Sequence, residues 1–107
     1  MNMSGIKIVK NLRKLNRGNH SLILGWSHRV YPIIKELAIA NANQRKPAVA
    51  LLSPRTQDQV LADLESRSVE TQNTRLAVIT GDPTDVGALV LASASNARSI
   101  IVLGDES

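Results

Sequence analysis

Ser21-Leu22-Ile23-Leu24-Gly25-Trp26-Ser27-His28-Arg29-Val30 is the stretch whose reading decides the fold. A short apolar run closed by glycine reads as a buried strand. From Val30 the period changes: Val30, Ile33, Ile34, Leu37 and Ala38 form one helical stripe. Pro32 is tolerated there only in the first turn. The pattern then repeats. Ala48 to Leu52 is a second apolar strand, and Ser53-Pro54 reads as a capped helix start before Val60, Leu61 and Leu64. Arg75 to Thr80 is a third strand closed by Gly81. Asp82-Pro83 repeats the cap-plus-proline start, with Val86, Leu89 and Val90 as the buried helical face. Ser99 to Leu103 is the fourth strand.

Strands alternating with helices imply parallel pairing through right-handed crossovers, with helices on both faces of the sheet. The expected architecture is therefore α/β, a three-layer, Rossmann-like half with a parallel sheet of order 3-2-1-4. A flavodoxin-like order is the alternative. No helix follows the fourth strand to cover it. Either the lobe of residues 19–107 is truncated at its C-terminus or a second copy supplies the cover, and Ile100, Ile101 and Val102 then form an association surface.

Composition narrows the function classes. The chain has 107 residues, 43% hydrophobic and 21% charged, which suits one globular domain. It has no cysteine, so disulfide, thiolate and zinc–thiolate chemistry are excluded. Its longest apolar runs fall far short of the roughly 18 residues of a membrane span. Trp26 and Tyr31 are the only aromatic residues, which disfavours nucleic-acid readers that stack bases. Residues 1–29 hold six basic residues and no acid, whereas residues 30–107 hold seven basic and nine acidic. Within residues 1–18, Ile8, Leu12 and Leu15 have helical spacing between lysines and arginines. That segment reads either as a basic amphipathic linker helix near anionic lipid or another chain, or as a solvated leader helix. It lacks the apolar core of a signal peptide.

In the expected topology, ligands bind outside the carboxyl ends of the strands. Gly25-Trp26-Ser27-His28-Arg29 occupies the place of a glycine-rich phosphate loop. Gly25 makes the tight turn, but Ser27 and Val30 stand at the second and third glycine positions. Helix-start amides beside His28 and Arg29 could instead hold a phosphate or carboxylate. Ser53 stands where a ribose-binding acid is expected; Arg55 could meet a 2′-phosphate or lie as a surface arginine. Asp82, Asp85, Asp105 and Glu106 could bind Ca²⁺ or Mg²⁺, although helix capping by Asp82 and Asp85 accounts for those two without a metal. No nucleophile–base pair is visible, no G-x-S-x-G elbow occurs, and His20 should lie at the opposite end of the sheet. The chain is therefore not expected to be an enzyme.

Asn19-His20-Ser21-Leu22-Ile23-Leu24-Gly25-Trp26-Ser27, Leu37 to Asn41, Gly81-Asp82-Pro83 and Ala97 to Leu103 together resemble the cytosolic domain of Castor/Pollux-type ion channels. More broadly the pattern is similar to the N-terminal lobe of domains that regulate potassium conductance and transport. The resemblance covers residues 11–105. It implies a gating-ring module on the cytoplasmic face of a membrane, assembled as a homo-oligomer below a pore domain. It also implies that the strand-end segments sense NAD, another adenine nucleotide, or Ca²⁺. Gly25, Trp26, Ser27, His28, Arg29, Ser53, Arg55, Gly81, Asp82 and Pro83 are the expected ligand-binding positions. The alternatives are an NAD(P)-binding oxidoreductase lobe and an assembly module with an empty crevice.

Overall fold

The computed structural model describes residues 6–9, 11–17, 20–45 and 47–104. The elements are β1 (Lys7–Ile8), a 3-10 helix (Leu12–Arg17), β2 (His20–Leu24), α1 (Val30–Ala40) and β3 (Ala48–Ser53). They continue as α2 (Gln57–Ser66), β4 (Arg75–Thr80), α3 (Val86–Leu91), a short 3-10 helix (Ala94–Asn96) and β5 (Ser99–Val102).

All pairings are parallel, and the strand order is β1-β4-β3-β2-β5. The inner four reproduce the expected 3-2-1-4 order, because the first long strand pairs with the second on one side and the fourth on the other. That adjacency excludes the flavodoxin-like alternative. The correction is the extra edge strand. Of the helix expected within residues 1–18, residues 1–5, 10 and 18 lie outside the described residues; among the described ones Lys7–Ile8 is strand and Leu12–Arg17 is a 3-10 helix instead of an α-helix. The physical reason is twofold. Ile6, Ile8 and Val9 are β-branched and suit a pleated surface. The open edge of β4 also offers them a ladder, with the Val9 amide donating to the Leu76 carbonyl at 2.9 Å.

Two apolar layers sandwich the sheet. On one face Ile23, Val49, Leu51 and Leu76 meet Val30 and Ile34 of α1 and Val60 and Leu64 of α2. On the other face Leu22, Ala50, Leu52 and Ala77 meet Leu15, Ala88 and Ala92. β3 is buried along its whole length, as a central parallel strand must be. Each fully buried Leu, Ile or Val contributes about 1.5–3 kcal/mol relative to exposure. At the far end of the sheet His20 is buried, its Nε2 3.1 Å from the Ala92 carbonyl, which ties the start of β2 to the end of α3.

Three helix readings need correction. The second helix does not begin at Ser53-Pro54. Ser53 ends β3, and Thr56 caps α2 in a reciprocal capping box with Gln59. The third helix does not begin at Asp82-Pro83; Asp85 is its N-cap. Of the face expected to be buried on α3, only Leu89 packs, half-buried, against the core. Ala88 is its buried residue, while Val86 and Val90 are 73% and 70% exposed. The last strand is open as expected, with Ile100 48% and Val102 73% exposed.

Candidate functional site

Four strand ends converge on a crevice of about 860 Å³. β2 enters it through Leu24, Gly25 and Trp26, and β3 is followed by Pro54 and Arg55. β4 contributes Thr80 and the turn Gly81 to Thr84, and β5 contributes Val102 and Leu103. Gly25 makes this convergence feasible. Its φ is +99°, a conformation open to glycine, and its amide donates to the Leu52 carbonyl at 2.9 Å. A Cβ on Gly25 would stand 2.9 Å from the Leu103 carbonyl oxygen, so the end of β5 closes directly over this turn.

The three strand-to-helix turns share one device. Ser27 Oγ accepts from the Arg29 amide, and Ser53 Oγ from the Arg55 amide, each at 3.2 Å. Asp82 Oδ1 accepts from the Thr84 amide and the Thr84 hydroxyl, both at 2.8 Å. In each turn a short side chain satisfies the backbone two residues ahead, the local bond these residues favour. Ser27 and Ser53 are thereby buried behind the crevice. Thr80 Oγ1 donates to the Arg55 carbonyl at 2.8 Å and couples the second turn to the end of β4.

Trp26 is the apolar wall. The Arg55 guanidinium lies over its ring, with Cζ 4.4 Å from the centroid. Arg55 Nη1 is 3.6 Å from Asp63 Oδ2, and the Tyr31 hydroxyl donates to the same oxygen at 3.2 Å. Trp26 and Tyr31 meet edge to face at 5.9 Å, and Arg67 covers Tyr31 at 4.2 Å. Burial, then the charge of Asp63 and the hydrogen bond to it, push the Tyr31 hydroxyl above its usual pKa, with Arg67 opposing. The result is a chain of contacts from α2 that holds Arg55 across the crevice mouth.

Asp82 titrates below the usual carboxylate range, first because the Thr84 amide donates to it and then because the Thr84 hydroxyl does. A carboxyl lowered in this way favours the folded turn above its unfolded pKa, and that preference is lost as pH falls through the folded value. Thr84→Val, which removes the hydroxyl donor, is expected to move the Asp82 midpoint upward toward the ordinary value. Carboxyl-carbon NMR across an acid titration reads it; an unmoved midpoint would assign no role to the hydroxyl.

Of the ligand-binding positions expected from sequence, Gly25, Trp26, Arg55, Gly81, Asp82 and Pro83 line the crevice. Ser27 and Ser53 lie behind it, their oxygens turned to their own backbones. His28 and Arg29 are exposed at the start of α1 and are not among the lining residues. The amides of Arg29 and Val30 are engaged by Ser27. Leu24, Pro54, Thr80, Thr84, Val102 and Leu103 also line it, and their signal in the sequence is their place at or next to a strand end. Among the described residues no group of three or more His, Asp or Glu could hold a metal; Asp105 and Glu106 lie outside them. Also among the described residues, no helix is long and apolar enough to cross a membrane.

No family model matches the chain. Curated proteins do. It is 36% identical over 104 residues to a probable ion channel POLLUX of Arabidopsis thaliana, covering 94% of this chain and 13% of that protein. It is 34% identical over 88 residues to a probable ion channel POLLUX of Oryza sativa subsp. japonica, covering 82% of this chain and 9% of that protein. It is 32% identical over 88 residues to the ion channel CASTOR of Lotus japonicus, covering 82% of this chain and 10% of that protein. The chain therefore spans about a tenth of the length of the curated relatives it matches. Over that span, this Rossmann-like lobe is a domain of the Castor/Pollux ion-channel type.

Proposed function

We propose that the chain is a regulatory domain of gating-ring type in a cation channel, potassium being the favoured ion, and that its crevice senses an adenine nucleotide. The domain works at the cytoplasmic face of the membrane, as a homo-oligomer below the pore. The observation that carries this reading is the aromatic wall of Trp26 under Arg55 in a mainly apolar crevice at the strand ends. A purine ring fits against Trp26, and Arg55 supplies a cation for phosphate oxygens. NAD is the poorer fit, because Ser27 and Val30 replace the glycines that let a backbone approach a pyrophosphate. Ca²⁺ is also poorer, because Asp82 and Asp85 already serve a turn and a helix cap. A nucleotide bound more tightly in one ring arrangement than in another would shift the pore toward that arrangement.

The open face of Val86, Val90, Ile100 and Val102 supports the assembly part of the reading, since such a surface favours a covering partner. The lining carries neither histidine nor cysteine, which supports binding rather than reaction. Calorimetry with ATP, ADP, NAD(H) and Ca²⁺, run beside the fluorescence of Trp26, tests the sensor. The expected result is saturable binding of an adenine nucleotide with a change in Trp26 emission. Arg55→Leu should weaken it about tenfold, the scale of one cation contact to a phosphate. Silence from all four ligands would end the sensor reading.

A further inference from the structure

Arg55 stands at the crevice mouth on a pinned backbone. Its amide donates to Ser53 Oγ at 3.2 Å, and its carbonyl accepts from Thr80 Oγ1 at 2.8 Å. That leaves the side chain as the part able to change place. The guanidinium lies over the Trp26 ring, with Cζ 4.4 Å from the centroid, and so covers an aromatic face on which a purine would stack. Its other partner is Asp63 of α2. Arg55 Nη1 is 3.6 Å from Asp63 Oδ2, longer than a hydrogen bond, and the two side chains are 43% and 37% exposed. An ion pair so exposed is weak. A phosphate, with several charged oxygens, is the stronger partner for a guanidinium.

The groups that Arg55 would leave behind keep other partners. Asp63 Oδ2 still accepts from the Tyr31 hydroxyl at 3.2 Å. Arg67, four residues on at the end of α2, keeps a positive charge over the Tyr31 ring at 4.2 Å. Trp26 retains its edge-to-face contact with Tyr31 at 5.9 Å, and His28 faces the same Tyr31 ring at 6.4 Å between centroids. Asp82, the acid of the crevice lining, is taken up by the Thr84 amide and hydroxyl. Asp63 itself is not a lining residue, so it acts on the crevice through Arg55.

We propose that Asp63 is a positioning residue: it holds Arg55 over Trp26, and a nucleotide binds by drawing Arg55 onto its phosphates and taking the ring face that the guanidinium uncovers. The proposal rests on the nucleotide reading of the crevice and narrows it. The ligand must bring its own anion, so the site selects a nucleoside di- or triphosphate over a nucleoside.

Two measurements on the full 107-residue protein test it. One is acrylamide quenching of Trp26, the single tryptophan, without ligand. The other is calorimetry with ADP and with adenosine. Asp63→Asn removes the charge but keeps an oxygen for the Tyr31 hydroxyl. Quenching should rise, and ADP binding should tighten about three- to fivefold, the scale of an exposed ion pair. A merely structural role for Asp63 would move the affinity the other way. In an Arg55→Leu background the same change should alter neither reading, which separates release of Arg55 from simple relief of repulsion between Asp63 and the ligand. Asp58→Asn, an equal change of charge in the first turn of the same helix, should leave both readings at the parent's values. Weaker ADP binding in Asp63→Asn, an equal gain in the Arg55→Leu background, unchanged quenching, or adenosine bound as tightly as ADP would overturn the proposal. Were no nucleotide to bind any variant, the sensor reading would end. Raised quenching that vanishes with Arg55→Leu would still uphold the hold of Asp63 on Arg55.

Discussion

Gly25→Ala is expected to cost the domain about 3 kcal/mol. A non-glycine residue held at positive φ costs on the order of 1–3 kcal/mol by itself. Here the new methyl also meets the Leu103 carbonyl oxygen at 2.9 Å. That oxygen is backbone and cannot rotate aside, so the end of β5 must shift. Against a typical stability of about 5–15 kcal/mol, the loss is a large share. In thermal unfolding it corresponds to a drop of roughly 15 °C. Urea denaturation should show a lower midpoint at an unchanged slope. Gly104→Ala is the matched control, since nothing lies within 4 Å of its would-be Cβ. A Gly25→Ala protein as stable as the parent would mean that the crevice turn is not built as described.

Leu51→Ala should be at least as damaging, at about 3–4 kcal/mol. Leu51 is fully buried on the central strand, in the cluster that joins the sheet to α1 and α2. Truncation removes its transfer free energy and leaves a cavity that β3, paired on both sides, cannot collapse. Ile39→Ala gives the contrast, because Ile39 is 55% exposed near the end of α1 and should cost under about 1 kcal/mol. Equal effects in the two variants would contradict the burial pattern. Hydrogen exchange should place the slowest amides in the β2–β3–β4 ladder around Leu51.

The inner sheet was legible because its strands are continuous apolar runs closed by glycine or polar turns. Leu22 to Leu24 and Val49 to Leu52 cannot be placed at a surface without exposing their side chains. Once the order followed, so did the crevice, and Gly25, Trp26, Arg55 and Gly81 to Pro83 were placed in it by topology alone. β1 was not legible. Ile8, Leu12 and Leu15 satisfy a helical period, and the competing strand is decided by the free edge of β4, a tertiary fact about a partner 68 residues away. The helix starts were misplaced for a local reason. A Ser or Asp before proline serves a tight turn as well as a cap, and Ser53 and Asp82 make turns. Thr56 with Gln59 was the better signal, a capping box written in the sequence. The inward aim of the Ser27 hydroxyl, and the hold of Asp63 on Arg55, depend on side-chain directions that residue spacing does not encode.

The pairing of β1 with β4 has a mechanical meaning. The leading segment is laced into the sheet by a ladder of two residue pairs, Lys7 with Arg75 and Ile8 with Leu76. Traction on this segment is therefore borne as shear along β4 rather than absorbed by a slack tether. β4 is one unbroken rod from Arg75 to Thr80, and its far tip carries the lip formed by Gly81 to Thr84. A pull at one extremity of the lobe thus has a stiff route to the mouth of the cleft at the other, through a coupling short enough to act as a fuse.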